Sequence, residues 1–236
     1  SVAANTPASD GKRVFALFSS NDVVAIHLNG DLAWVRGLNL EHPLAGNDVG
    51  MGSSPAVVDG SVIVQSEAQG ASFAIALDAE SGATRWEVDR PRRASWCSPI
   101  GVRYQRDGET IAAAVLQSGG RVDIHRADNG EKLWGAEIEC ESTSSPVFDG
   151  RLFLPAGGLL AFQLQDENGA PQNIWRETRA RSTSASPVIY RDKAYVVSRG
   201  GVLACQPIEG PGAWKLRLGG QFWATPVAAG DYLYCI

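Results

Sequence analysis

Short apolar runs closed by polar, glycine-containing turns follow one another along the whole chain. The clearest stretch runs from residue 54 to residue 88. Ser54-Pro55-Ala56-Val57-Val58 ends at Asp59-Gly60, a turn pair in which Asp bonds its own backbone and Gly accepts positive φ. Ser61 to Gln65 predicts a second strand, Ser66 to Gly70 a polar loop, and Ala71 to Leu77 a third strand. Asp78 to Gly82 predicts the next turn and Ala83 to Val88 a fourth strand. No segment carries the period of an amphipathic helix. The unit reads as four antiparallel strands joined by short turns.

Two markers show that this unit is copied. Trp34, Trp86, Trp134, Trp175 and Trp214 recur at intervals of roughly 40–50 residues. Ser/Thr-Pro keeps step, at Thr6-Pro7, Ser54-Pro55, Ser98-Pro99, Ser145-Pro146, Ser186-Pro187 and Thr225-Pro226. Gly30, Gly82, Gly130 and Gly210 precede four of the tryptophans at a fixed offset, and Gly169 stands slightly further ahead of Trp175. Such a glycine supplies the positive φ of a tight turn. A period of this length points to a propeller or a solenoid.

The expected fold is all-β, a single β-propeller domain over residues 1–236 with four-stranded antiparallel blades. Blades are expected at about 4–37, 52–89, 96–137, 143–178 and 184–217, with part of a sixth at 224–236. Propellers close, so five blades and a partial sixth read as a piece of a larger ring, of about seven or eight blades. The sequence lacks an initial Met and ends within an apolar strand. The five repeat tryptophans read as packing residues, since an indole burying about 150–250 Å² fills the widening gap between blades.

Composition narrows the function. With 44% hydrophobic residues the chain can bury a core. Its net charge of −5 and lack of a basic run argue against nucleic acid as a partner. No apolar stretch is long enough for a membrane-spanning helix, and residues 1–10 lack the basic and apolar parts of a signal peptide. Cys97, Cys140, Cys205 and Cys235 form no metal-site spacing. They read as small buried hydrophobes, with Cys97–Cys140 or Cys205–Cys235 bridges as the alternative.

Candidate chemistry lies on the loops that enter the first strands and join the second to the third, because one face of a propeller carries both sets. Trp96 and Trp223 stand out of phase with the packing tryptophans, each just ahead of an inner strand. Either ring can stack on a sugar, a quinone or a peptide side chain, or plug against the next loop. Arg92, Arg93, Arg179 and Arg181 are candidates for gripping carboxylates, against plain solvated charge. Glu139 and Glu141 flank Cys140 and can bind a hard cation or pair with arginine. His42, Asp48, Met51, Glu67, Gln69, Arg121 and Arg199 share these loops. The widely separated His27, His42 and His125 support no catalytic triad. No catalytic residue and no metal site is assigned.

Ala76-Leu77-Asp78-Ala79-Glu80-Ser81-Gly82-Ala83-Thr84-Arg85-Trp86 resembles the pyrroloquinoline-quinone (PQQ) repeat, with weaker copies at Ile124–Trp134 and Phe162–Trp175. The chain is thus similar to the PQQ-repeat, quinoprotein-like and BamB-like β-propellers over nearly its whole length. The Asp of the repeat survives only as Asp78, being replaced by His27, Arg126, Gln163 and Gln206. The resemblance implies a non-catalytic binding or assembly scaffold, periplasmic or secreted, holding a protein, peptide or glycan on its loop face without a cofactor. The alternative it implies is a PQQ-dependent oxidoreductase with calcium, in which Trp96 or Trp223 would carry the cofactor.

Overall fold

The computed structural model describes residues 5–46, 50–164, 170–212 and 214–236. Gly169 and Asp48 lie outside the described residues. The strands form five four-stranded antiparallel sheets and one two-stranded sheet. The first sheet holds β1 (Ala8–Ser9), β2 (Arg13–Leu17), β3 (Asp22–His27) and β4 (Leu32–Gly37), followed by a single helical turn, α1 (Leu38–Glu41). The second holds β5 (Ala56–Val58), β6 (Ser61–Ser66), β7 (Phe73–Asp78) and β8 (Thr84–Asp89). The third holds β9 (Ile100–Arg106), β10 (Glu109–Ser118), β11 (Arg121–Arg126) and β12 (Lys132–Ala136). The fourth holds β13 (Val147–Phe148), β14 (Leu152–Pro155), β15 (Leu159–Gln163) and β16 (Gln172–Glu177). The fifth holds β17 (Val188–Tyr190), β18 (Lys193–Val197), β19 (Val202–Pro207) and β20 (Trp214–Arg217). The sixth has only β21 (Val227–Ala229) and β22 (Tyr232–Tyr234). Strands pair in chain order within every sheet, as a meander of hairpins requires.

The turn chemistry explains the hairpins. Asp59 and Gly60 both take positive φ, +44° and +71°, matching the twist of the strands they join. Asp78 Oδ1 accepts from the backbone N–H groups of Glu80 and Ser81, at 3.0 and 2.9 Å, and Arg85 binds its other oxygen at 2.7 Å. The Arg85 hydrogen bond leads the contacts that hold the Asp78 carboxyl well below the usual carboxylate range.

The chain divides into two compact units, Ser1–Arg103 with Thr110–Glu137, and Tyr104–Glu109 with Ile138–Ile236. Within each unit, neighbouring sheets are joined by the same contacts. Trp34 Nε1 donates to the Ala79 carbonyl at 3.1 Å, and Trp86 Nε1 to the Ala127 carbonyl at 3.0 Å. In the second unit Trp175 Nε1 donates to the Ile208 carbonyl at 3.0 Å. Each acceptor follows the third strand of the next sheet, and its own N–H is tied to the hairpin at the first sheet edge, as in Ala79 N–H to the Gly60 carbonyl at 2.8 Å. The three indoles are only 7–9% exposed.

A register shift between the third and fourth strands turns each ring into its seam. It falls at Ala25/Ile26, Ala76/Leu77 and Ala161/Phe162, beside the small residue that faces Trp34, Trp86 and Trp175. Such a bulge re-aims the side chain next to it. The same shift at Ile124/His125 accompanies Trp134, which is partly buried. Trp214 differs: it pairs with Cys205 and is 50% exposed. Among the described residues the sheet beyond it comprises β21 and β22.

The Ser/Thr-Pro marker forms a second latch. Ser54 Oγ accepts from Thr6 N–H at 2.8 Å, and Ser98 Oγ accepts from Ser54 N–H at 2.9 Å. In the second unit Ser186 Oγ accepts from Ser145 N–H and Thr225 Oγ1 from Ser186 N–H, both at 2.9 Å. Ser54 and Ser186 thus each serve the previous copy through the hydroxyl while their own backbone N–H is served by the next one. The apolar cores lie between sheets: Phe15, Val23, Ala25 and Trp34 pack on Val62, Phe73, Ile75 and Leu77 in one seam. Phe153, Leu159, Ala161 and Trp175 pack on Ala194, Val196, Ala204 and Ile208 in another.

In the first unit the turn glycine before one tryptophan is the seat for the tryptophan of the preceding sheet: Gly82 lies under Trp34 and Gly130 under Trp86, whereas Gly210 in the second unit has nothing within 4 Å of a built Cβ. Gly82 has φ +72°, and a Cβ built on it would stand 2.7 Å from Trp34 Cδ2. Gly11 has a similar φ of +83° with nothing within 4 Å of a built Cβ. Gly11→Ala is expected to cost about 1 kcal/mol from backbone strain. Gly82→Ala is expected to cost about 3 kcal/mol, because the displaced indole adds to that strain. Denaturant titration measures both, and the excess at Gly82 should shrink when Trp34 is replaced by Phe.

Candidate functional site

In the first unit the loops around the second and third sheets meet over a buried charged cluster. Arg90, just beyond β8, has a side chain only 2% exposed. Its Nε donates to Glu67 Oε1 at 2.8 Å and its Nη1 to Asp123 Oδ2 at 2.6 Å, joining two sheets. Its Nη2 reaches the Leu116 carbonyl at 3.3 Å. Asp123 also binds Arg121 Nε at 2.8 Å and Lys132 Nζ at 2.7 Å.

The two carboxyls diverge for physical reasons. Burial pushes Glu67 up to about 7, against the pull of Arg90. Burial pushes Asp123 upward too, but hydrogen bonds from Arg121 and Lys132, with the charge of Arg90, hold it at about 2. Burial also lowers His125, whose ring stacks on Trp86 at 5.9 Å and whose Nδ1 lies 2.9 Å from the Gly130 carbonyl. These residues form a buried floor, and Arg90 also lines a cavity of about 240 Å³ with His42, Phe73, Glu87, Asp89 and Arg92.

Above that floor, Arg92 and Arg93 are exposed. The Arg93 guanidinium lies across Gly119, whose built Cβ would be 3.0 Å from Arg93 Nε. Trp96 is half-buried and donates from Nε1 to the Gly50 carbonyl at 3.0 Å, so its ring is fixed to the preceding loop. His42 stacks on Phe73 at 3.9 Å and approaches Glu87 at 3.3 Å.

In the second unit, the loop after β18 and the connection after β20 dock on each other. Leu218 N–H donates to the Gly201 carbonyl at 2.7 Å and Phe222 N–H to the Arg199 carbonyl at 3.1 Å. Phe222 is buried with Ala185, Val197 and Leu203 beneath them. On top, the Arg199 guanidinium lies 3.9 Å from the centre of the Trp223 ring, which is 56% exposed. Arg179 is exposed but held by buried Glu177, through Nε at 3.0 Å and Nη2 at 2.8 Å. Arg181 Nε donates to the Thr178 carbonyl at 3.2 Å. Glu139 is exposed and Glu141 half-buried, with Glu141 N–H bonded to the Pro155 carbonyl at 2.9 Å.

An indole capped by a guanidinium on fixed backbone offers a flat cationic surface to acidic or aromatic side chains. Among the described residues, no three of His, Cys, Asp and Glu gather as a metal-holding group. The four cysteines are thiols rather than bridges, and burial raises both Cys205 and Cys235.

Sequence reading did not single out Arg90 and Asp123, and placed Arg199 on a loop without its stacking role. Asp123 left a signal. It occupies the third-strand position held by Val24 and Ile75 in the preceding copies, where a lone charge needs buried partners.

A family model described as outer membrane protein assembly factor BamB matches residues 2–216. The crystal structure of BamB from Moraxella catarrhalis is 15% identical, with a TM-score of 0.58 over 98% of this chain and 79% of that one. The computationally designed Ika8 protein gives a TM-score of 0.65 at 9% identity, over 98% of this chain and 68% of that one. A europium-containing methanol dehydrogenase gives 0.50 at 10% identity, over 94% and 70%. At these identities the likeness is one of fold, the β-propeller of four-stranded blades. No curated protein sequence matches significantly.

The two buried carboxyls give opposite pH dependences. Asp123 sits at about 2, below its ordinary 3.8, so its stabilisation is complete above that ordinary value and is lost as pH falls through about 2. Glu67 sits at about 7, above its ordinary 4.5, so its contribution is complete below pH 4.5 and is lost as pH rises through about 7. Denaturation measured between pH 2 and 8 should show Asp123→Asn costing about 2 kcal/mol or more at pH 7 and much less at pH 2. Glu67→Gln should flatten the wild-type loss of stability between pH 4.5 and 7.

Proposed function

Because the chain belongs to the BamB family of PQQ-repeat β-propellers, we propose that it is a non-catalytic scaffold of the bacterial envelope. On this reading it works outside the cytoplasm, periplasmic or secreted, and holds a partner on its loop face. A protein or peptide is the favoured partner and a glycan the other. The observation that carries the reading is the exposed Arg199–Trp223 stack on two mutually hydrogen-bonded loops. Trp and Arg are enriched where binding energy concentrates, and a pre-set backbone loses little entropy on binding. No helix of the described residues is long and apolar enough to cross a membrane.

The test uses the full protein in its source cells, with a photoreactive residue at Gln221 beside Trp223, or at Glu80 on the exposed turn after β7. An envelope-protein adduct is expected at 221 and not at 80. Trp223→Ala and Arg199→Ala should each reduce it by about tenfold or more. Both are exposed, so stability should change by no more than about 0.5 kcal/mol. Fractionation with the cytoplasm would contradict the reading. So would saturable binding of PQQ with calcium that Trp223→Ala abolishes.

A further inference from the structure

The seam between the first two sheets opens at one end into a cavity that the apolar packing does not fill. Phe73 and Ile75 face this seam, packed with Phe15 and Trp34. Asp89 and Glu87 are their cross-strand partners on β8, so both carboxylates lean to the same side. His42, just after α1, faces Glu87. Its backbone is fixed, its N–H donating to the Leu38 carbonyl at 2.8 Å and its carbonyl accepting from Ala45 N–H at 3.0 Å, and its ring stacks on Phe73. Arg36 of the first sheet ties these walls together, donating through Nη1 to the Gly82 carbonyl at 2.6 Å while gripping Glu41. Between them lies the cavity of about 240 Å³, lined by His42, Phe73, Glu87, Asp89, Arg90 and Arg92 among others.

Two features of the lining call for a ligand. His42 Nε2 is out of solvent and 3.3 Å from Glu87 Oε1, yet among the described residues it makes no hydrogen bond. A buried polar atom left in that state is costly until a partner arrives. The charges are also sorted. The Arg90 guanidinium is engaged by Glu67 and Asp123 at the floor. Arg92 is exposed, and among the described residues no carboxylate pairs with it. A simple anion in this cavity meets Glu87 and Asp89, and a simple cation meets Arg92. A molecule bearing both signs answers each. A primary ammonium has three N–H donors, one for each of His42 Nε2, Glu87 and Asp89. A carboxylate matches the planar fork of Arg92. The volume lies below the roughly 300–1,000 Å³ of sites for drug-sized ligands, so the molecule is compact. Phe73 and Ala71 supply an apolar wall for its side chain.

We propose that this cavity binds a free α-amino acid with a small apolar side chain. Its ammonium sits among His42 Nε2, Glu87 and Asp89, and its carboxylate lies on Arg92. The site belongs to the first compact unit, whereas Arg199 and Trp223 belong to the second, and it does not rest on their role.

The full protein is titrated with L-alanine while the His42 ring ¹H–¹³C signal, identified by its loss in His42→Gln, is followed by NMR. It should shift saturably below about 10 mM ligand. Alanine methyl ester, which lacks the carboxylate, and N-acetylalanine, which lacks the ammonium, should each bind at least about tenfold more weakly. Glu87→Gln and Arg92→Gln should weaken L-alanine binding by a similar factor, and Glu80→Gln, outside the cavity lining, should leave it unchanged. Glu87 and Arg92 are exposed, so unchanged melting temperatures separate lost binding from lost folding. No saturable shift with L-alanine would overturn the proposal. Equal binding by the ester or by N-acetylalanine would overturn it too, by making the cavity a plain cation or anion site, as would full affinity in both variants.

Discussion

One hydrogen bond sets the spacing of neighbouring sheets within each unit: the indole N–H of one sheet donating to the carbonyl that follows the third strand of the next. Trp34, Trp86 and Trp175 each make it with almost the same length. The bond fixes direction and the ring supplies area, so a single residue both positions a neighbouring sheet and buries its apolar face. Gly82 beneath Trp34 and Gly130 beneath Trp86 are then constrained twice, by their φ and by the indole above them. The Ser/Thr hydroxyl chain fastens the opposite, inner edge. With outer and inner edges both tied, successive sheets keep one relative orientation within each compact unit.

That rigidity is what the proposed scaffold role requires. Loops carried on a fixed frame hold recognition groups without an ordering cost at binding. The second unit shows how this is done. Backbone hydrogen bonds join two loops, buried Phe222 supports them, and Arg199 and Trp223 remain exposed above. The first unit spends its polar residues differently. Arg90 ties Glu67 to Asp123 across two sheets, out of solvent, as a stiffening element whose strength depends on pH.

The blade pattern was legible because it is local. Strand β6 at Ser61–Ser66 and β8 at Thr84–Asp89 lie within a residue of the alternation seen in the sequence, and Asp59-Gly60 names its own turn. The Asp78 turn was equally plain, since its bonds go to its own backbone. What the glycines and Ser/Thr-Pro pairs do for neighbouring copies was not legible. Gly82 looks like a turn residue until Trp34, far away in sequence, is placed on it. The exposure of Trp214 was hidden for the same reason, because its surroundings are set by the next sheet. At the candidate site, residue types and loop positions were readable from sequence. The Arg199–Trp223 stack was not, since it depends on how two loops dock.

Hydrogen exchange of the indole N–H groups tests the seam bond most directly, because each reports one seam. Trp34, Trp86 and Trp175 should exchange about 100-fold or more slowly than Trp214, opening only when neighbouring sheets part. Exchange of all four at the rate of Trp214 would mean that the sheets are not latched through their indoles, and would contradict the account.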